Sequence, residues 1–385
     1  MRALHIITGL GVGGAEQQLR LLLRHLPARC DVVTLTNPGP VADGLAADGV
    51  RVTHLGMSGN RDVAALPRLA RVIRRGRYDL VHTHLYRACL YGRIAARLAG
   101  VRAVVATEHS LGDSQMEGRP LTAGVRALYL AGERLGRTTV AVSPTVADRL
   151  ALWGVPRPRI AVVPNGIDLD GFRFDPVRRR LTRARLGLPD DAFVIGGVGR
   201  LAPGKRFDVL VRALAQLPDD CRLLLVGGGP EEAALRRAAE RAGVTGRVLF
   251  TGERPYAPDG SPGPELPALT SAMDVLAAPS TEEAFGLAVV EALAAGLPVR
   301  YASCPAVEDL PPEAAPDALR VTGGADAYAR ALAGVRAAGP GPRTAPEAPR
   351  HYCITRSAAR LMDVYTAALA GTFPRPRSPE RVSSP

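Results

Sequence analysis

The chain has 385 residues, 46% of them hydrophobic and 22% charged, so its composition is that of a globular protein and its length fits two domains of ordinary size. A formal charge of +12 favours anionic partners, such as nucleotide diphosphates or lipid headgroups. Aromatic residues make up only 4% and no basic run is interleaved with them, which argues against a nucleic-acid stacking platform and leaves nucleic acid out of the expected partners.

In chain order, residues 2–8 read as a buried strand that runs into Gly9-Leu10-Gly11-Val12-Gly13-Gly14 and a helix over Ala15–Leu26. Taken literally this is G-x-G-x-x-G between strand and helix, the dinucleotide fingerprint, which also expects a carboxylate at the end of the second strand. That strand, Asp31–Leu35, ends in Thr36-Asn37 without one, so a Rossmann-type NAD-dependent oxidoreductase stands only as an alternative. Further strands are expected at Val50–His54, Leu80–His84, Val101–Thr107, Val140–Val142 and Ile160–Val163. Helices are expected at Val63–Arg75, Ala88–Leu98 and Ser143–Leu152, the last capped by Ser143 with Pro144 at its first position. The alternation implies a parallel sheet with helices on both faces, whose sites gather at the carboxyl ends of the strands. His84, His109 and Asn165-Gly166 fall at such ends, and His84 reads as a packed strand-end histidine. The apolar run Leu4–Val12 is short and lacks a small-residue cleavage site, so it reads as a first strand and not a signal peptide, and no run reaches the length of a bilayer span. The five cysteines, Cys30, Cys89, Cys221, Cys304 and Cys353, lack Cys-x-x-Cys spacing and read as thiols in a reducing compartment.

The segment Asp170–Asp191 is charge-rich and reads as an interdomain connection with a short helix. Beyond it, strands are expected at Phe193–Val198, Arg222–Val226, Val248–Thr251 and Asp274–Ala278, with helices at Phe207–Leu217 and Glu231–Ala242. Residues 255–267 read as a long loop, and the pattern weakens past residue 305. Residues 339–350 are linker-like, Ile354–Leu369 is an amphipathic helix, and 372–385 is a Pro/Ser/Arg-rich tail expected to be disordered.

Pro279–Pro298 reads as a loop, then a helix opened by Phe285-Gly286-Leu287 and ended by Gly296, with Pro298 blocking continuation. A helix N-terminus suits a phosphate. Glu283 and Glu291, which bracket the helix entry, suit neutral hydroxyl donors beside it, such as a ribose or sugar. Upstream, Arg200 and Lys205 flank a tight turn after a strand, and two fixed cations there would stabilise the charge that develops on a departing diphosphate. Asp168-Leu169-Asp170 has the Asp-x-Asp form but lies in a turn leading to the connecting segment, where a divalent ion would need further oxygen ligands.

Glu283 and Glu291, separated by seven residues, together with Gly199-Arg200…Gly204-Lys205, resemble the signature of retaining family-4-type glycosyltransferases (glycosyl transferases group 1). The resemblance covers nearly the whole chain. It implies a GT-B fold, α/β, with two doubly wound Rossmann-like domains facing across a cleft and a C-terminal helix crossing back to the first domain. The expected boundaries are 1–168 for the acceptor-side domain, 169–191 for the linker, 192–350 for the nucleotide-sugar domain, 351–371 for the return helix and 372–385 for the tail. The implied catalytic residues are His109, in Thr107-Glu108-His109, and Glu283. The implied donor-binding residues are Gly13, Gly14, Arg200, Lys205, Arg254, Glu283, Phe285, Gly286, Leu287 and Glu291. No metal or other cofactor is expected.

The implied activity is transfer of a sugar from a nucleoside-diphosphate sugar with retention, in cell-surface polysaccharide, glycolipid or glycosylated-metabolite biosynthesis. A nucleotide-sugar-binding protein without turnover is a second alternative. The acceptor is expected to be lipid-linked, a saccharide or a small molecule. Arg61, Arg68, Arg71, Arg74, Arg75 and Arg77, with Arg119, Arg126, Arg134 and Arg137, suggest peripheral contact with an anionic membrane on its cytoplasmic face. Two departures from the family stand out: Arg206 replaces the usual glycine after the lysine, and Arg300–Leu310 replaces the usual small, glycine-containing turn.

Overall fold

The computed structural model describes residues 1–112, 115–116, 119–256 and 264–374. The centre of the expected 255–267 loop and residues 375–385 of the expected tail therefore lie outside the described residues. The chain forms two compact units, one built from residues 1–166 and 352 onward, the other from 167–351.

The first unit is a seven-stranded parallel sheet. Its strands are β1 (Arg2–Gly9), β2 (Arg29–Asn37), β3 (Arg51–His54), β4 (Leu80–His84), β5 (Val104–Glu108), β8 (Thr138–Ala141) and β9 (Ile160–Val162), in the order β3-β2-β1-β4-β5-β8-β9. A two-stranded antiparallel ribbon, β6 (Gln115–Met116) and β7 (Arg119–Pro120), lies outside it. Leu4, Ile6, Ile7, Val32, Val33, Val81, Val104 and Val105 are all buried, so both faces of the sheet are covered, as the continuous apolar runs of parallel strands require. The helix Pro144–Trp153 starts as its sequence predicts: Val146 N donates to Ser143 Oγ at 3.1 Å.

The helix Ile354–Leu369 belongs to this unit and packs against the helix Gly14–His25, joining Ile354, Ala358, Leu361, Val364 and Tyr365 to the cluster of Leu19, Leu22 and Leu23. The approach is close. A Cβ on Gly166 would sit 2.6 Å from Ile354 Cα, so the glycine of Asn165-Gly166 is needed there for backbone packing.

The second unit is a six-stranded parallel sheet of β10 (Phe193–Val198), β11 (Cys221–Val226), β12 (Val248–Phe250), β13 (Val275–Ala278), β14 (Val299–Tyr301) and β15 (Ala318–Arg320), in the order β12-β11-β10-β13-β14-β15. In both units the strand order reverses beside the first strand, the topology of a doubly wound sheet.

Several elements differ from the sequence reading. The 170–191 segment holds two helices, Leu169–Phe172 and Pro176–Arg185, and the second packs on the helix Leu266–Ala272 within the second unit. Its arginines are the reason. Arg183 is buried and donates to Ala272 O (3.0 Å), Ala192 O (3.1 Å) and Asp274 Oδ2 (2.7 Å). A charge-rich composition here marks a satisfied ionic cluster and not solvated chain. Helices at Gly39–Ala47, Ala123–Glu133, Leu266–Ala272 and Ala325–Ala338 escape the pattern because prolines or glycines open the first and third and alanine blurs the period of the last. The Ala325–Ala338 helix is nonetheless anchored by buried Tyr328, Leu332 and Val335 against the helix Phe207–Leu214.

Candidate functional site

In the second unit the candidate residues come from the ends of three strands and one helix. The helix Leu287–Ala294 begins at Gly286, whose φ of +100° suits glycine, and a Cβ there would lie 2.4 Å from Cys304 Sγ. Cys304 Sγ in turn donates to Phe285 O at 3.4 Å, and Ala306 N donates to the same oxygen at 2.9 Å. The departing segment after Val299 thus serves as the seat of the Phe285–Gly286 turn. Phe285 is buried beneath it, and Leu287 is half-buried at the first helical position.

Two carboxylates leave this element in different states. Glu283, half-buried in the loop, is ion-paired to Lys205 Nζ from the turn after β10, and Ser280 Oγ lies 3.2 Å from Gly204 O, tying the two loops together. Glu291 is 2% exposed. Burial pushes its carboxyl up to about 7, partly opposed by the hydroxyl of Tyr256, which donates to it. Its Oε1 has no hydrogen-bond partner among the described residues. An unpaired buried carboxylate oxygen is costly, so this atom marks a place for a hydrogen-bond donor from outside. Tyr256, absent from the sequence reading, is held edge-on against Phe172 with ring centroids 5.8 Å apart. Half-buried Arg254 precedes it, and Arg200 is exposed at the end of β10.

Arg206 has φ of +53°, a left-handed conformation in which glycine is free of strain and arginine is not. That accounts for the glycine usual at this place. Asp168 Oδ1 accepts from Gly171 N at 3.1 Å and caps a short helix, so the Asp-x-Asp carboxylate is engaged in chain geometry.

In the first unit, Gly13 is the N-cap of the helix Gly14–His25, and a Cβ there would fall 2.3 Å from Glu16 Oε2. The first unit also holds a group of four histidines, of which the sequence alone singles out His84 and His109. His5 Nδ1 lies 3.0 Å from His84 Nε2, and His84 Nδ1 lies 3.1 Å from His109 Nε2. His82 Nδ1 lies 2.7 Å from the hydroxyl of Tyr365, and His82 Nε2 is 2.7 Å from Thr107 Oγ1. Period-2 spacing puts His82 and His84 on one face of β4, and the β1–β4 register sets His5 opposite His82. The alternation was visible in the sequence, whereas the contribution of Tyr365 required the helix to dock. Burial drives the pKa of every ring down, to about 3 for His5 and about 4 for His109, so all four are neutral at pH 7. Leu85, which follows His84, has φ +71° and ψ +152°, a region that is almost exclusive to glycine and costs a leucine backbone strain. Among the described residues, His5, His82 and His84 are the group whose ligand atoms fall within 4.8 Å of one another.

Residues 12–170 match the family described as Glycosyltransferase Family 4, and residues 178–332 match Glycosyl transferases group 1. The chain is 35% identical over 248 residues to the 2-deoxystreptamine glucosyltransferase of Streptomyces kanamyceticus, covering 61% of this chain and 62% of that one. It is 37% identical over 276 residues to a D-inositol 3-phosphate glycosyltransferase of Catenulispora acidiphila, covering 66% and 64%. These matches span less than two thirds of the relatives' own lengths. Among solved structures, Anabaena HepE in complex with UDP and glucose aligns with a TM-score of 0.81 at 23% identity, over 95% of this chain and 99% of that one.

Proposed function

Since the chain belongs to the family-4/group-1 glycosyltransferases of GT-B fold, we propose that it transfers a sugar from a nucleoside-diphosphate sugar to an acceptor hydroxyl with retention of configuration. The observation that carries this reading is Glu291, a buried carboxylate one turn into a helix with one oxygen unpaired among the described residues. It suits the vicinal hydroxyls of a ribose. Lys205, now neutralised by Glu283, would turn to the diphosphate as negative charge develops there, with Arg200 as a second cation. Glu283 and His109 are assigned to the reacting sugar. Departure and attack on one face require no side-chain nucleophile.

The structurally similar HepE, seen with UDP and glucose, supports a UDP-sugar as the first donor to test. The two relatives named for 2-deoxystreptamine and D-inositol 3-phosphate support ring polyols beside lipid-linked saccharides as acceptors. We further place the enzyme at the cytoplasmic face of an anionic membrane. No helix among the described residues is long and apolar enough to cross one, and the arginines of the first unit supply the attraction.

The test is a thermal-shift screen of UDP-, GDP- and ADP-sugars followed by a donor-hydrolysis assay, because a ligand of the folded state raises its melting temperature. One base series is expected to stabilise the protein and to be hydrolysed. Lys205→Ala is expected to lower turnover by roughly 10²–10³-fold, the scale for loss of one preorganised charge-stabilising group. Activity is expected to survive EDTA. No stabilisation by any nucleotide sugar, or full turnover in Lys205→Ala, would remove the assignment.

A further inference from the structure

The four histidines, Tyr365 and Thr107 make a continuous path. It runs Thr107 Oγ1, His82 Nε2 and Nδ1, Tyr365 OH, His5 Nε2 and Nδ1, His84 Nε2 and Nδ1, His109 Nε2 and Nδ1. The successive gaps are 2.7, 2.7, 3.4, 3.0 and 3.1 Å. A neutral imidazole carries one N–H and one bare nitrogen, so a ring that accepts on one side must donate on the other. With all rings neutral, each link therefore fixes the next. With the Tyr365 hydroxyl donating to one of its two recorded partners and accepting from the other, two arrangements satisfy every link, all four rings protonated on Nδ1 or all four on Nε2; a third, in which both neighbouring rings donate to the phenol oxygen, leaves its proton without a recorded acceptor.

The two arrangements differ at their ends. With protons on Nε2, His82 donates to Thr107 and the threonine hydroxyl must find another acceptor; the bond recorded for it is the one to His82. With protons on Nδ1, the hydroxyl donates to His82 Nε2 and is satisfied. The remaining free donor is then His109 Nδ1–H, and that nitrogen is buried without a partner among the described residues. His109 lines, with His84, Thr107 and Asn165, a small cavity of about 30 Å³, enough for a water. Both ends of the path border this cavity, and in the Nδ1 arrangement the donor left open to it is His109 Nδ1–H.

We propose that Thr107, His82, Tyr365, His5, His84 and His109 form one hydrogen-bonded relay of a single polarity, which makes Tyr365 and His5 positioning residues for the ring of His109. The relay gives His109 a fixed N–H donor and ties it to the docking of the helix Ile354–Leu369, the element that brings Tyr365 to the sheet.

This inference rests on the role given to His109 only for its consequence in catalysis, and its test does not use activity first. Long-range ¹H–¹⁵N correlation of ¹⁵N-histidine-labelled full-length protein reads the tautomer of each ring directly, because a protonated ring nitrogen resonates well apart from a bare one. Four buried rings in the Nδ1–H form are expected, the opposite of the form favoured in water. Tyr365→Phe keeps the ring and removes the hydroxyl, and is expected to turn His5, His84 and His109 to mixed or Nε2–H signals. Thr107→Val cuts the same path at the end opposite His109 and is expected to act alike, so failure of one variant to fold leaves the other. Buried rings of mixed tautomer in the wild type, or a His109 signal unchanged in both variants, overturn the relay. So does one equivalent of tightly held metal on the rings, since a ligating nitrogen carries no proton. If the tautomers move as expected while sugar transfer is unaffected, the relay stands and the catalytic role of His109 falls.

Discussion

At the scale of single residues, the consequence that follows most directly is the pH dependence carried by Glu291. Its folded pKa of about 7 lies above the ordinary carboxylate value near ~4.3 of an unfolded chain. The folded state therefore holds a proton that the unfolded state loses, and this group's contribution to stability is complete below about pH 4 and is lost as pH rises to about 7. A ligand whose hydroxyls bond to the ionised carboxylate reverses the preference. Nucleoside-diphosphate binding is expected to tighten by up to about tenfold from pH 6 to pH 8, the rise in the ionised fraction of a carboxyl with a pKa of about 7. Glu291→Gln is expected to bind more weakly at pH 8 and to lose the slope, while its affinity for pyrophosphate stays as in the wild type. Calorimetry at three pH values measures this, and equal losses for both ligands would break the link between Glu291 and ribose.

At the scale of elements, the clearest prediction concerns the fastening of the helix Pro176–Arg185. Asp274 receives Arg179 Nη2 at 2.6 Å, Arg183 Nη2 at 2.7 Å and the amide of Val194 at 2.7 Å. One carboxylate thus binds that helix to β10, while the same two arginines donate to Ala272 O at the end of the helix Leu266–Ala272. Its removal would strand Arg183, whose side chain is 2% exposed, as an uncompensated charge. Asp274→Ala is expected to destabilise the second unit by roughly 3 kcal/mol, the lower part of the range for a broken buried pair. Urea unfolding followed by a probe in that unit reads the change, and a loss below about 1 kcal/mol would make the cluster an ordinary surface network. The same ionic cluster explains why a segment that looks like linker in composition is structural.

At the scale of the whole molecule, the net charge of +12 is unevenly available. Arg68 is paired with Asp62, and Arg74 donates to Leu98 O. Arg74, in the last turn of the helix Ala65–Gly76, and Arg77, Arg102 and Arg137, on the connections into β4, β5 and β8, line one hollow of the first unit. That is the opposite end of the sheet from His84 and His109. Sedimentation with anionic vesicles at low salt is expected to exceed that with neutral ones, and to fall when Arg71, Arg74 and Arg75 are reversed to Glu. Transfer to a soluble acceptor is expected to be unaffected by those changes, because the basic end is not the histidine end. Equal binding to both vesicle types would direct the search to soluble acceptors alone. Much of this molecule is legible in the sequence alone. The strand–helix alternation, the Ser143 cap and the Gly286–Gly296 helix follow from local periodicity and backbone preference, which act over a few residues. The tertiary structure alone decided what each polar group meets. Glu283 found Lys205, Glu291 found Tyr256 and a deep burial that raises its pKa, and His5, His82, His84 and His109 became one chain through Tyr365, 256 positions beyond His109. Those pairings depend on sheet register and on helix docking, and no local pattern encodes which distant side chain will complete a buried hydrogen bond.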